Sequence, residues 1–132
     1  MNSKIVNEII RLGGDPTDEV WRWLATRGPH GNSFTWGQTR RAPPGYVGVD
    51  HLREIVEEFS QTIPDFSERA RAVVRAALAS EQPDLVRRAI QIAAVIGDAS
   101  EMHVIRQLVD SPQGQVAADA RACVFYLTKI RA

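Results

Sequence analysis

A chain of 132 residues suits one domain, long enough to bury about two-thirds of the surface it would expose unfolded, so disulfides are not needed for stability. Its 16 lysines and arginines balance 16 aspartates and glutamates, which excludes a chain-wide field drawing it onto nucleic acid or an anionic membrane. The lone Cys123 excludes an internal disulfide. Flanked by Val124 and Leu127, it reads as a buried thiol in a reducing compartment, and the expected location is the cytoplasm. The opening MNSKIVNEII carries Asn7 and Glu8 within its apolar stretch, which breaks a signal-peptide core. No apolar run approaches the roughly 20 residues of a membrane span, so neither export nor insertion is expected.

Apolar residues recur at helical spacing along nearly the whole chain, without the sustained alternation of strands, and the expected class is all-α. The first helix sets Ile5, Ile9 and Leu12 on one side with Val6 and Ile10 beside them, and Gly13 and Gly14 stop it. In the next, Asp15 is positioned to cap, Pro16 fits the first turn, Asp18 and Glu19 favour the helix dipole, and Gly28 ends it. A third helix is expected from Asp50 to just before Pro64, with Leu52, Ile55, Val56 and Phe59 inward. Asp65 and Glu68 have the spacing of a capping box for a fourth.

Beyond this point the chain repeats itself. Aligning LASEQPDLVRRAI with LVDSPQGQVAADA superposes Leu78 on Leu108 and Val86 on Val116, a period of 30 residues. Each unit reads as a helical hairpin. In the first, Ala70, Val73, Val74, Ala77 and Leu78 face Val86, Ala89, Ile90 and Ala93; in the second, Val104, Ile105 and Leu108 face Val116, Ala120, Cys123, Val124 and Leu127. One period before Val86 stands Val56, so the helices around Trp21 and Val56 read as a degenerate first unit and the opening helix as its cap. The units run over 1–63, with a long loop at 28–49, then 64–97 and 98–132, all within one domain. About seven helices are expected.

Residues 84 to 110, DLVRRAIQIAAVIGDASEMHVIRQLVD, resemble the HEAT-repeat family through Val86, Arg87, Ile96, Gly97, Asp98 and Leu108. The resemblance covers about residues 67–131. It departs from the family pattern at Ala117, where an arginine is the rule, and it fades in the N-terminal half. It implies a short right-handed stack of antiparallel helical hairpins, an α-solenoid used mostly as a binding scaffold, although some members bind nucleic acid and a few are enzymes.

The segment GPHGNSFTWGQTRRAPPGYVGV breaks the helical pattern and is far longer than an ordinary helix connection. It holds Arg40 and Arg41, with Arg27 just before it, no acid, and the aromatics Phe34, Trp36 and Tyr46. Arginine and aromatic residues dominate binding hot spots, so Trp36, Arg40, Arg41 and Tyr46 are candidate partner contacts. The alternative is that the aromatics fold back as a plug on the end of the helical stack. The stretch APPGYVG is similar over seven residues to a pore loop of Clp-type unfoldases. The chain lacks the phosphate-binding loop and acidic magnesium site of those ATPases, so only the idea that Gly45 and Gly48 leave Tyr46 mobile is retained.

His30, His51 and His103 fall in separate segments without metal-ligand spacing, and no metal, nucleotide or other cofactor is expected. His51, Arg53, Glu54, Glu57 and Glu58 read as a solvated, salt-bridged helix face. Ser33 lacks a nucleophile elbow, and Cys123 has no evident histidine partner. Trp21 and Trp23 read as core contacts with partial exposure. Arg87 and Arg88 open a helix on the inner face of the expected stack, either as bonds between repeats or as partner contacts. The chain therefore reads as a non-catalytic module whose expected partner is another protein, in its more specific form a small bacterial inhibitor or immunity-type protein capping a toxin or enzyme. The alternative is a nucleic-acid binder with Arg40, Arg41, Arg87 and Arg88 on phosphates and Trp36 or Tyr46 on a base.

Overall fold

A computed structural model of the chain describes residues 3–26, 34–96 and 99–130. It is mostly helical. Among the described residues are seven α-helices: α1 Ser3–Arg11, α2 Glu19–Thr26, α3 Val49–Thr62, α4 Phe66–Ala77, α5 Pro83–Ile96, α6 Ala99–Leu108 and α7 Gly114–Phe125, the last continuing as a π-helical turn over Tyr126–Ile130. Two short strands, β1 Phe34–Thr35 and β2 Val47–Gly48, pair in parallel with Phe34 opposite Val47. This small sheet departs from an all-helical reading, because two residues per strand leave no alternation to read. No helix of the described residues is long and apolar enough to cross a membrane.

The helix ends follow local chemistry, and two differ from expectation. Gly13 N–H bonds Ile10 O at 3.0 Å and Gly14 N–H bonds Ile9 O at 2.8 Å, the paired bonds that close α1 where the two glycines predict. Asp18 caps α2 instead of Asp15, its Oδ1 accepting from Val20 N at 2.8 Å and Trp21 N at 3.3 Å. Asp15 is taken up by Thr17, whose N and Oγ1 donate to it at 2.8 and 2.7 Å, so residues 15 to 18 form a turn and the helix begins only at Glu19. Thr26 ends α2, and the expected stop at Gly28 lies outside the described residues. At α4 the capping box does not form. Asp65 occupies the N-cap position with φ 55°, and in this left-handed conformation its side chain makes no cap hydrogen bond, since that bond requires extended backbone.

The helices expected to pair do so. Helix α4 packs on α5 and α6 on α7, while α3 and α7 both lie against α5. Val56, Val86 and Val116, spaced by 30 residues, are all buried, as are Ala89 and Ala93. Helix α5 is buried further round than its expected face of Val86, Ala89, Ile90 and Ala93, with Leu85, Ile92, Ala94, Val95 and Ile96 also enclosed. The reason is its position: α2, α3, α4 and α7 all pack on it. On α3, Leu52 and Val56 are buried while Ile55 and Phe59 are half-buried. Trp21 is buried; Trp23 is half-buried, its ring edge-on to Phe59 at 5.4 Å and Phe66 at 5.3 Å. Gly97 and Asp98, two of the residues that carry the HEAT-repeat resemblance, lie outside the described residues.

Ion pairs and hydrogen bonds fasten the N-terminal helices to the rest. Arg69 on α4 holds Asp18 at 2.8 Å and Glu19 at 3.0 Å, and so ties it to α2. Glu8 of α1 is buried, and its Oε1 accepts from Arg11, from Ser80 Oγ at 3.1 Å and from Glu81 N at 3.1 Å. The Arg11 guanidinium, then the Glu81 N–H and the Ser80 hydroxyl, outweigh burial and bring this carboxyl from 4.5 down to about 2. A depressed folded-state value contributes stability above the unfolded value and loses it as pH falls through the folded one. Acid titration followed by circular dichroism is therefore expected to show stability falling between about pH 4.5 and 2. Glu8→Gln should be less stable at pH 7 and show a shallower loss across that window.

Candidate functional site

Residues 34–48, ahead of α3, are built as a pinned loop. After β1, a single 3-10 turn at Thr39–Arg41 leads through Pro43 and Pro44 to β2. Thr39 is the inner fastening. Its N and Oγ1 donate to Asp50 Oδ1 at 2.9 and 2.7 Å, and its Oγ1 accepts from Gly48 N at 2.8 Å. These Thr39 bonds hold the Asp50 carboxyl below its usual range. A Cβ on Gly48 would stand 2.5 Å from both Gly37 O and Thr39 N, so this position admits only glycine. Gly48 is thus a packing requirement, and the expectation that it loosens Tyr46 is corrected. Gly45 has φ 88° and follows Pro44 in a turn closed by Tyr46 N–H to Pro43 O at 3.1 Å, the glycine-dependent type II geometry. That turn leaves Tyr46 39% exposed.

Trp36 anchors the other side of the loop. Its Nε1 donates to Asp119 Oδ1 on α7 at 3.1 Å, and its half-buried ring meets Phe34 edge-on at 5.2 Å and Tyr126 at 6.1 Å. Asp119 Oδ2 also accepts from Arg87 Nε at 2.7 Å, and Arg87 Nη1 donates to Gln115 Oε1 at 3.1 Å. One carboxylate thereby joins the loop, α5 and α7. Of the residues singled out in the sequence, Trp36 and Arg87 meet at this carboxylate. Arg88 faces elsewhere, donating to Ala25 O at the end of α2, and burial lowers its pKa. Arg40 and Arg41 are exposed beside the loop, Arg40 Nε reaching Gln38 Oε1 at 2.9 Å. Arg27, His30 and Ser33 lie outside the described residues.

Between the loop and the ends of α3 and α7 opens a cleft of about 530 Å³. Trp36, Val49 and Tyr126 supply its apolar wall, and Gln38, Asp50 and Arg53 its polar groups. Arg53 Nη2 donates to Tyr126 Oη. Its expected place on a solvated face is corrected: it is half-buried and turned toward α7, whereas His51 and Glu54 do pair at the surface at 3.6 Å. Chemically, the cleft offers a guanidinium beside aromatic walls, and its one carboxylate is already bonded to Thr39. Cys123 is buried away from it, its thiol pushed up to about 12 by burial and then by the Asp119 charge.

No family model, curated protein or solved structure matches the chain. Its functional residues are therefore read from geometry alone. Of the residues that build the candidate site, the sequence reading missed Thr39, Asp119 and Tyr126 and set Arg53 on the wrong face. Asp119 carried a readable signal, since it lies three residues after Val116 on the apolar face of α7, where a carboxylate must find a partner. Thr39 and Tyr126 carried none, because their partners are 11 and 73 residues away.

Proposed function

We propose that this chain is a non-catalytic protein-binding module, a short HEAT-like stack of helical hairpins acting as an inhibitor or immunity-type protein whose partner docks on the loop face. The carrying observation is that the loop is fixed on its inner side by Trp36, Thr39 and Gly48 and holds Arg40, Arg41 and Tyr46 exposed on its outer side. A surface ordered before binding loses less conformational entropy on binding, which favours affinity. Arginine and tyrosine are residues that make such a surface energetically productive. The 30-residue spacing of Val56, Val86 and Val116 on α3, α5 and α7, with α3 and α7 each packed on α5, supports the stack. The internal bonds of Arg87 and Arg88 direct the proposal to the loop instead of the α5 face.

The test is charge reversal at the exposed arginines. Arg40→Glu with Arg41→Glu is expected to weaken partner binding by more than about tenfold while leaving the melting temperature nearly unchanged, because both side chains lie at the surface. Calorimetric titration at low and moderate salt reads both the affinity and its salt dependence. Wild-type affinity in the double variant would reject the loop face. A steep loss of affinity with salt for generic oligonucleotides would replace the protein partner with nucleic acid.

A further inference from the structure

The cleft sits in a stretch of net positive charge. From residue 34 to residue 53 there are three arginines, Arg40, Arg41 and Arg53, against one acid, Asp50, whereas charges cancel over the whole chain. The Asp50 carboxylate is held ionised by Thr39 and, among the described residues, forms no ion pair with these guanidiniums, so the stretch keeps a net charge of two positives against which an acid can pair. Arg53 has five N–H donors, and among the described residues Tyr126 Oη is its one hydrogen-bond partner. Gln38 lines the cleft and bonds Arg40, which places a second guanidinium at the rim. Gln38 also lines a second hollow, of about 430 Å³, which Arg41 borders with Thr35 and Pro43.

A half-buried guanidinium beside an apolar wall suits a carboxylate held in bidentate fashion next to a bulky apolar group. The geometry points to an acidic segment of a partner protein as the occupant: an aromatic or aliphatic side chain enters beside Trp36 and Tyr126, the adjoining carboxylate pairs with Arg53, and further acids meet Arg40 and Arg41. This assignment rests on the protein-binding role proposed above and adds the chemistry of the partner. It favours peptide over nucleic acid because the Trp36 ring is already packed by Phe34 and Tyr126 and its N–H is bonded to Asp119, leaving it poorly placed to stack on a base.

The experiment titrates the full chain with the peptide acetyl-Glu-Glu-Phe-Glu-Glu-amide, with its all-glutamine counterpart and with a ten-residue oligothymidine, following the Trp36 Nε1–H resonance. The acidic peptide is expected to bind at least about tenfold more tightly than the glutamine form and to shift that resonance. Arg53→Gln should abolish the preference, and Arg53→Lys should retain part of it, with both variants checked for the wild-type fold by circular dichroism. Equal binding of the two peptides, binding of neither, tighter binding of the oligothymidine, or an undiminished preference in Arg53→Gln would each overturn the assignment. If the acidic peptide fails while reversal of Arg40 and Arg41 still abolishes binding to a partner protein, the acidic segment is rejected and the protein-binding role stands.

Discussion

Replacing Asp119 with alanine is expected to destabilise the fold by about 3 kcal/mol and to release the loop from the helices. The carboxylate is about nine-tenths buried and serves two donors at once, Trp36 Nε1 at 3.1 Å and Arg87 Nε at 2.7 Å. Its removal breaks the Arg87–Asp119 pair, whose two side chains are each about nine-tenths buried, a change that costs about 3 to 5 kcal/mol in buried pairs. The lower figure applies because Arg87 keeps its bond to Gln115. For a chain of this size the melting temperature should fall by roughly 10 °C. Asp119→Asn, which retains an acceptor for Trp36 but loses the charge, should fall between the two. Trp36→Ala should also lower the melting temperature, because the ring is a packed anchor between Phe34 and Tyr126. An Asp119→Ala protein that melts within a degree or two of wild type would show that the carboxylate fastens nothing.

Enlarging Ala89 or Ala93 to leucine is expected to cost on the order of 1 to 3 kcal/mol each. Both alanines are almost fully enclosed on α5, and that helix has α2, α3, α4 and α7 packed around it. Three added carbons have no space to enter without moving a neighbouring helix. Chemical denaturation reads the change directly as a lower midpoint with a similar slope. Unchanged midpoints in both variants would mean that α5 is not the helix on which the others close.

These two predictions differ in how far the sequence alone could have led to them. Ala89 and Ala93 belong to an apolar period of 3.6 residues, a local pattern, and the pairings of α4 with α5 and α6 with α7 follow from it because short connections make sequential helices neighbours. The full enclosure of α5 was not legible, since it depends on which helices arrive from both sides. The cap of α2 was misplaced for a related reason. Asp15 and Asp18 are both competent caps, and the choice is made by Thr17, whose bonds to Asp15 hold residues 15 to 18 in a turn.

At the candidate site, composition located the loop and its exposed residues Arg40, Arg41 and Tyr46, but not the fastening beneath them. Trp36 stood open as either anchor or contact, and its bond to Asp119 across 83 residues gives it the anchoring role. Arg53 was hidden among charged neighbours on α3. What distinguishes it is the Tyr126 hydroxyl 73 residues away, a contact that only the assembled helices bring about.

In the proposed role, the outer face of this loop recognises another protein. The most direct measurement uses two baits, the wild-type chain and the Arg40→Glu, Arg41→Glu variant, each incubated with lysate of the native host and compared by quantitative mass spectrometry after nuclease treatment. The account predicts a protein retained at near one-to-one stoichiometry by the wild type and depleted more than about tenfold on the variant. The same proteins in equal amount on both baits, or a wild-type capture that disappears with nuclease, would contradict it.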